Sequence, residues 1–144
     1  VLFPETFRPS RSLRKTLRKQ AYRVAIDTAF DQVIASCARI ERPGQSGTWI
    51  SAPICRAYRA LYHMGWAHSI ETFIDGTLAG GLYGVSIGKV FFGESMFHVH
   101  KDASKIAFAH LARLGRDRGL RMIDCQMYTP HLASLGAQLI PGPE

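Results

Sequence analysis

Cysteine is scarce in this chain. Cys37, Cys55 and Cys125 are far apart, and none belongs to a CxxC pair. An odd set without a framework excludes a disulfide scaffold and points to reduced thiols and a cytoplasmic protein. Long apolar runs are missing as well, so no stretch reads as a membrane span, and the basic start has no signal-type apolar region behind it. There is no internal repeat and no low-complexity tract. Histidines at metal-ligand spacing are also lacking: His98 and His100 share a strand face, while His63, His68 and His131 are scattered, so no metal is expected. Acid is in short supply, with 11 Asp and Glu against 18 Lys and Arg and a formal net charge of +7. Between Arg8 and Arg23 it vanishes: seven basic residues lie there and no acid. Such a patch suits a phosphate backbone or an anionic surface, the alternative being a solvated helix face.

What is present is enough for one domain with a real core: 144 residues of ordinary globular composition. Val1 to Pro9 reads as extended, and Ser10 as the N-cap of a helix reaching about Gln20, with Leu13, Leu17 and Ala21 as its apolar stripe. Tyr22–Ile26 alternates like a strand. Helices are expected from Thr28 to about Ile40, with Phe30, Val33, Ile34 and Cys37 inward, and from Ala52 to about Met64, closed by Gly65. Ala67–Ile74 and Leu78–Ile87 form a hairpin around Asp75-Gly76. After a central strand, Asp102 is placed to cap a long helix ending near Gly119. Arg121–Gln126 is a last strand, and His131–Gly136 one helical turn.

The central strand, Lys89 to Phe97, carries the most informative residue. A period of two sends Val90, Phe92, Glu94 and Met96 one way and Phe91, Gly93, Ser95 and Phe97 the other. Both faces are mostly apolar, as in a strand covered on both sides. Glu94 therefore sits among apolar groups and must gain a proton or find a cation. That cation is either an internal Lys or Arg, or part of a ligand. Gly93 beside it permits close approach to the backbone.

The order of strand, two helices, three antiparallel strands, helix and strand gives an α/β fold with a mixed sheet and flanking helices. It is similar to the N-acetyltransferase-like (GNAT-like) layout. Those enzymes hold the coenzyme A pyrophosphate in a glycine-rich turn after the central strand. Here that turn is His98-Val-His-Lys-Asp102, without glycine, which argues against coenzyme A.

Seven motifs then appear in one order: Gly47-Thr-Trp-Ile50, Ala67-His-Ser-Ile-Glu71, Gly80-Gly-Leu-Tyr-Gly-Val85, Phe92-Gly-Glu-Ser-Met-Phe97, Ala103-Ser-Lys105, Asp124-Cys-Gln126 and His131-Leu-Ala-Ser-Leu-Gly136. In this order they resemble the bacterial leucyl/phenylalanyl-tRNA–protein transferases, from Val1 to about Pro141. The resemblance implies an enzyme that moves Leu or Phe (also Met) from aminoacyl-tRNA to the N-terminal Arg or Lys of an acceptor protein. The product carries an N-terminal degradation signal. No cofactor, metal or membrane is implied. By position, Glu94 would lie beside the aminoacyl group, flanked by Gly93 and Ser95. Leu82, Phe91, Phe108, Leu111 and Ile123 would line an apolar pocket, plain core packing being their other reading. Trp49 would stack on the terminal adenosine, where stacking is worth roughly 1–3 kcal/mol per base. Asp124 and Gln126 would orient and deprotonate the acceptor amine, although Asp124 also reads as a strand-end cap. Cys125 faces the opposite way and has no evident base, so it reads as a core thiol. Arg8, Arg11, Arg14, Lys15, Arg18 and Lys19 would meet the tRNA.

The resemblance divides the chain into a basic segment and helix over 1–22 and an aminoacyltransferase domain over 23–144, with the family's N-terminal portion outside it. It departs from the family at His98, where a Ser is usual, at Leu82, and at Thr129-Pro130. A coenzyme A-dependent N-acetyltransferase and a non-catalytic RNA-binding module are the competing readings.

Overall fold

The computed structural model describes residues 1–19, 21–39 and 52–124. Strands β1 (Arg23–Ile26), β2 (Ala67–Ile74), β3 (Thr77–Ile87), β4 (Val90–His98) and β5 (Met122–Asp124) form one five-stranded sheet in that spatial order. Neighbours are antiparallel except β4 and β5, which are parallel. Helices α1 (Arg11–Lys19) and α4 (Ala103–Asp117) cover one face, and α2 (Phe30–Arg39) and α3 (Ala52–His63) cover the other. The mixed sheet with flanking helices is the expected class.

Local chemistry accounts for most of the boundaries. Asp75 and Gly76 both have positive φ, 53° and 75°, as a two-residue hairpin turn requires. Ser10 caps α1, its hydroxyl oxygen accepting from the Leu13 amide at 3.2 Å, and Leu13 and Leu17 are buried as the stripe predicts. Gly65 and Gly119 close their helices at φ of 86° and 76°.

Two expectations about element ends fail. The N-terminus is not simply extended: Pro4–Thr6 is a 3-10 turn, because Pro4 presets the first φ of a tight turn. Before it, Leu2 and Ile123 exchange backbone hydrogen bonds of 2.8 and 2.7 Å. Asp102 has φ 68° and makes no side-chain cap; its carboxylate lies 3.4 Å from Lys105 Nζ instead.

Both faces hold a core. On one, Leu2, Phe7, Leu13 and Leu17 pack with Ile70, Leu82, Phe91, Ile123 and the inner residues of α4. On the other, Phe30, Val33, Ile34 and Cys37 pack with Ala67, Tyr83 and Phe97. The turn between β1 and α2 is pinned by a buried acid: Glu71 Oε1 accepts from the Thr28 amide at 2.9 Å and the Thr28 hydroxyl at 2.7 Å. Asp27 joins it, meeting the Ser69 amide at 2.9 Å and His68 Nδ1 at 2.8 Å.

The alternation assigned to β4 holds only as far as Glu94. Tyr83 pairs with Ser95 and Gly84 with Gly93, so Glu94 is the extra residue of a β-bulge. The bulge reverses every side chain beyond it. Met96 packs on the α4 face with Phe91, and Phe97 packs on the α2 face. The expected sharing of one face by Phe91 and Phe97, and of the other by Phe92 and Met96, is therefore corrected.

Candidate active site

Glu94 is half-buried at the bulge and lines an open groove of about 500 Å³ together with Tyr58 and Leu61 of α3, Val85 and Ile87 of β3, and Phe92. Its carboxylate accepts a hydrogen bond from the Tyr58 hydroxyl. No Lys or Arg pairs with it among the described residues. Burial pushes its carboxyl above the usual range; the Tyr58 bond opposes this and the Asp124 charge adds to it. Among the described residues the acid is thus held by one neutral donor, with no cation beside it.

The parallel pairing of β5 brings Asp124 beside Phe92, and the Asp124 carbonyl is the nearest atom, 3.5 Å away, to a Cβ built on Gly93. Gly93 follows Phe91 by two residues, so that Cβ would point to the α4 face. An added methyl there meets only ordinary van der Waals contact, leaving an approach beside Glu94. At Gly84 a built Cβ would lie 2.2 Å from the Phe92 carbonyl oxygen and 2.6 Å from the Phe91 ring.

Leu82, Phe91, Phe108, Leu111 and Ile123 are brought together, each 1–5% exposed, in the core under α4. Phe91 and Leu111 also line a cavity of about 310 Å³. These five lie on the α4 face, whereas the Glu94 groove opens on the α3 face, with the bulge between them. Ser95 sits next to Glu94 in the bulge, paired with Tyr83. Trp49, Cys125, Gln126, Thr129-Pro130 and His131 lie outside the described residues, as does the helical turn expected after His131.

Arg8, Arg11, Arg14, Lys15, Arg18 and Lys19 are all exposed on and before α1, whose apolar edge is buried against the core. A fixed helix, with Arg8 just before it, therefore presents the cationic set to solvent. Among the described residues, no group of three or more His, Cys, Asp and Glu could hold a metal ion, and no helix is long and apolar enough to cross a membrane.

Tyr58 was not singled out by the sequence. The available signal was the spacing of Ile54, Tyr58, Leu61 and Tyr62 on one helix face, with a phenol that needs a partner once partly buried.

Comparison with known proteins bears on this geometry in two ways. Solved structures share the architecture at low identity. An aminoglycoside acetyltransferase from an uncultured soil metagenomic sample superposes with a TM-score of 0.63 at 9% identity, covering 88% of this chain and 97% of that one. A ribosomal-protein-alanine N-acetyltransferase from Brucella melitensis biovar Abortus 2308 gives 0.52 at 16%, covering 72% and 78%. The fold is thus that of the N-acetyltransferases.

Sequence similarity is much closer elsewhere. Leucyl/phenylalanyl-tRNA–protein transferases of Dechloromonas aromatica and Chromobacterium violaceum are each 56% identical, over 98% and 97% of this chain. The chain spans about 60% of the length of these relatives. The family model described as leucyl/phenylalanyl-tRNA protein transferase matches residues 1–144. With Glu94 set in an acetyltransferase-like sheet and the match unbroken from end to end, the chain belongs to the leucyl/phenylalanyl-tRNA–protein transferase family.

Proposed function

We propose that this chain is the acyl-transfer part of an enzyme that moves Leu or Phe from aminoacyl-tRNA to the N-terminal Arg or Lys of an acceptor protein. The observation that carries the reading is Glu94: an acid raised by burial, free of any internal Lys or Arg partner among the described residues, and facing an open groove. An incoming α-ammonium supplies the cation that the described residues do not. The apolar side chain of the donor turns away from Glu94 past Gly93 to the α4 face, where Leu82, Phe91, Phe108, Leu111 and Ile123, closed at 1–5% exposure, part to receive it. Such a pocket separates similar side chains by only about 1–3 kcal/mol, so Leu, Phe and Met are all accepted to some degree.

In the reaction the acceptor's ammonium first gives up a proton, and its nitrogen attacks the ester carbonyl. The tetrahedral oxyanion collapses, the ester C–O bond breaks, and the tRNA 3′-hydroxyl leaves with a proton as the amide forms. Asp124, beside Gly93 and Glu94, is the electrostatic partner of that proton loss, and Gln126 positions the amine. Alignment of an already activated ester supplies much of the rate.

The turn after β4 favours this reading over coenzyme A. The Val99 and His100 amides both donate to the Ala79 carbonyl, at 2.8 and 3.3 Å, and the Ala103 amide donates to the His100 carbonyl at 3.2 Å. These three amides are committed and do not face a pyrophosphate, and Asp102 adds a carboxylate at the same place.

The test is transfer of radiolabelled leucine from tRNA to a peptide beginning with Arg, catalysed by the full-length protein. Label in the peptide is expected; none would sink the reading. The basic helix gives a second prediction. Replacing Arg14 and Arg18 with Ala weakens tRNA binding regardless of sequence. Each duplex phosphate that is no longer neutralised flattens the slope of log affinity against log salt by about 0.9. An unchanged slope in a salt titration would remove α1 from the tRNA interface.

A further inference from the structure

We infer that Tyr58 is a positioning residue for Glu94: its hydroxyl ties down one carboxylate oxygen, leaves the other for the donor's ammonium, and is itself held in place by the buried ring of Tyr83. This inference rests on the reading of Glu94 given above. Tyr58 and Glu94 line the same groove from opposite walls, one on α3 and the other at the β4 bulge. A phenol has a single proton to donate, so it engages one oxygen of the pair.

The support behind Tyr58 is a row of rings. Tyr58 meets Tyr83 edge-on, with centroids 5.2 Å apart at 73°. Tyr83 is fully buried and meets Phe30 edge-on at 6.0 Å and 78°. Phe30 stacks on Tyr62 at 4.5 Å and 9°, and the Tyr62 hydroxyl donates to the Asp27 carbonyl at 2.9 Å. The row runs from the groove through the core to the turn before α2. It fixes α3 against the sheet and removes the rotational freedom that a lone surface tyrosine would have.

Among the described residues, three titratable groups surround Glu94. Tyr58 faces it from α3, Asp124 from β5 and Tyr83 from β3. Burial and Asp124 favour the protonated acid; the Tyr58 bond favours the carboxylate. Without the hydroxyl, Glu94 ionises at higher pH, so the acid side of the rate profile moves upward.

The experiment uses full-length protein, Leu-tRNA and an Arg-peptide, with kcat and KM measured across pH for Tyr58→Phe, Glu94→Gln and the double variant. Tyr58→Phe keeps the ring row, and thermal melting checks that it folds. The expected result is about a 10-fold loss in kcat/KM at neutral pH and an acid limb shifted upward by about one pH unit. The double variant should be no worse than Glu94→Gln alone. An unshifted limb, or a full additional loss on top of Glu94→Gln, overturns the role of Tyr58 while leaving Glu94 in place. Full transfer by Glu94→Gln alone overturns the Glu94 reading, and Tyr58's role with it.

Discussion

Exchanging Glu94 for Gln should stabilise the fold at neutral pH while lowering kcat/KM for transfer about 10- to 100-fold, the cost of losing a hydrogen bond to a charged group. The two effects share one cause. Burial, the largest influence, raises the Glu94 carboxyl above its ordinary value of 4.5. A group raised in the folded state contributes its stability below the unfolded value and loses it as pH rises through the folded one. Below about pH 4 the acid is neutral in both states, and parent and variant should melt alike. As pH climbs toward neutrality the parent carries a poorly solvated carboxylate, and the Gln variant pulls ahead. Gln still accepts the Tyr58 hydroxyl, so the shape of the site is kept. Melting temperatures across this range, measured beside transfer rates, check both halves. A Gln variant that melts lower at neutral pH would mean that Glu94 is already engaged by a cation in the folded protein.

Gly84→Ala should be the most damaging methyl addition in the sheet. The new Cβ would lie 2.2 Å from the Phe92 carbonyl oxygen and 2.6 Å from the Phe91 ring, and neither can yield without disturbing the bulge. Overpacking at this level costs roughly 3 kcal/mol or more. That lowers the melting temperature by about 10 °C in a domain of this size. Gly93→Ala is the control, since its Cβ meets only the Asp124 carbonyl at 3.5 Å. It should melt within a few degrees of the parent and still lose transfer, because the methyl stands where the donor's side chain would pass. Equal melting for the two variants would show that the bulge adapts to a side chain at Gly84. Full transfer by Gly93→Ala would move the donor's path elsewhere.

Much of this molecule was legible before any coordinates. Ser10, Gly65, the Asp75-Gly76 turn and Gly119 announce the element boundaries through local rules, since capping and positive φ depend on a residue and its near neighbours. Phe30, Val33, Ile34 and Cys37 announce a buried helix face through spacing alone. The ordered motifs announce the family. Glu94 announces itself as an acid in apolar company.

What the sequence could not determine is where β4 reverses. A period of two is a local rule, whereas a bulge is set by pairing with another strand. Only the register of Tyr83 against Ser95 and Gly84 against Gly93 makes Glu94 the extra residue. That register sends Met96 to the α4 face and Phe97 to the α2 face, while Glu94 keeps the α3 side that it shares with Phe92. Tyr58 was hidden for the same reason: it is distant in sequence, and a contact between a helix and a strand exists only after the chain has closed on itself. Composition and spacing supplied the acid; the packing of α3 across the bulge supplied the phenol that holds it.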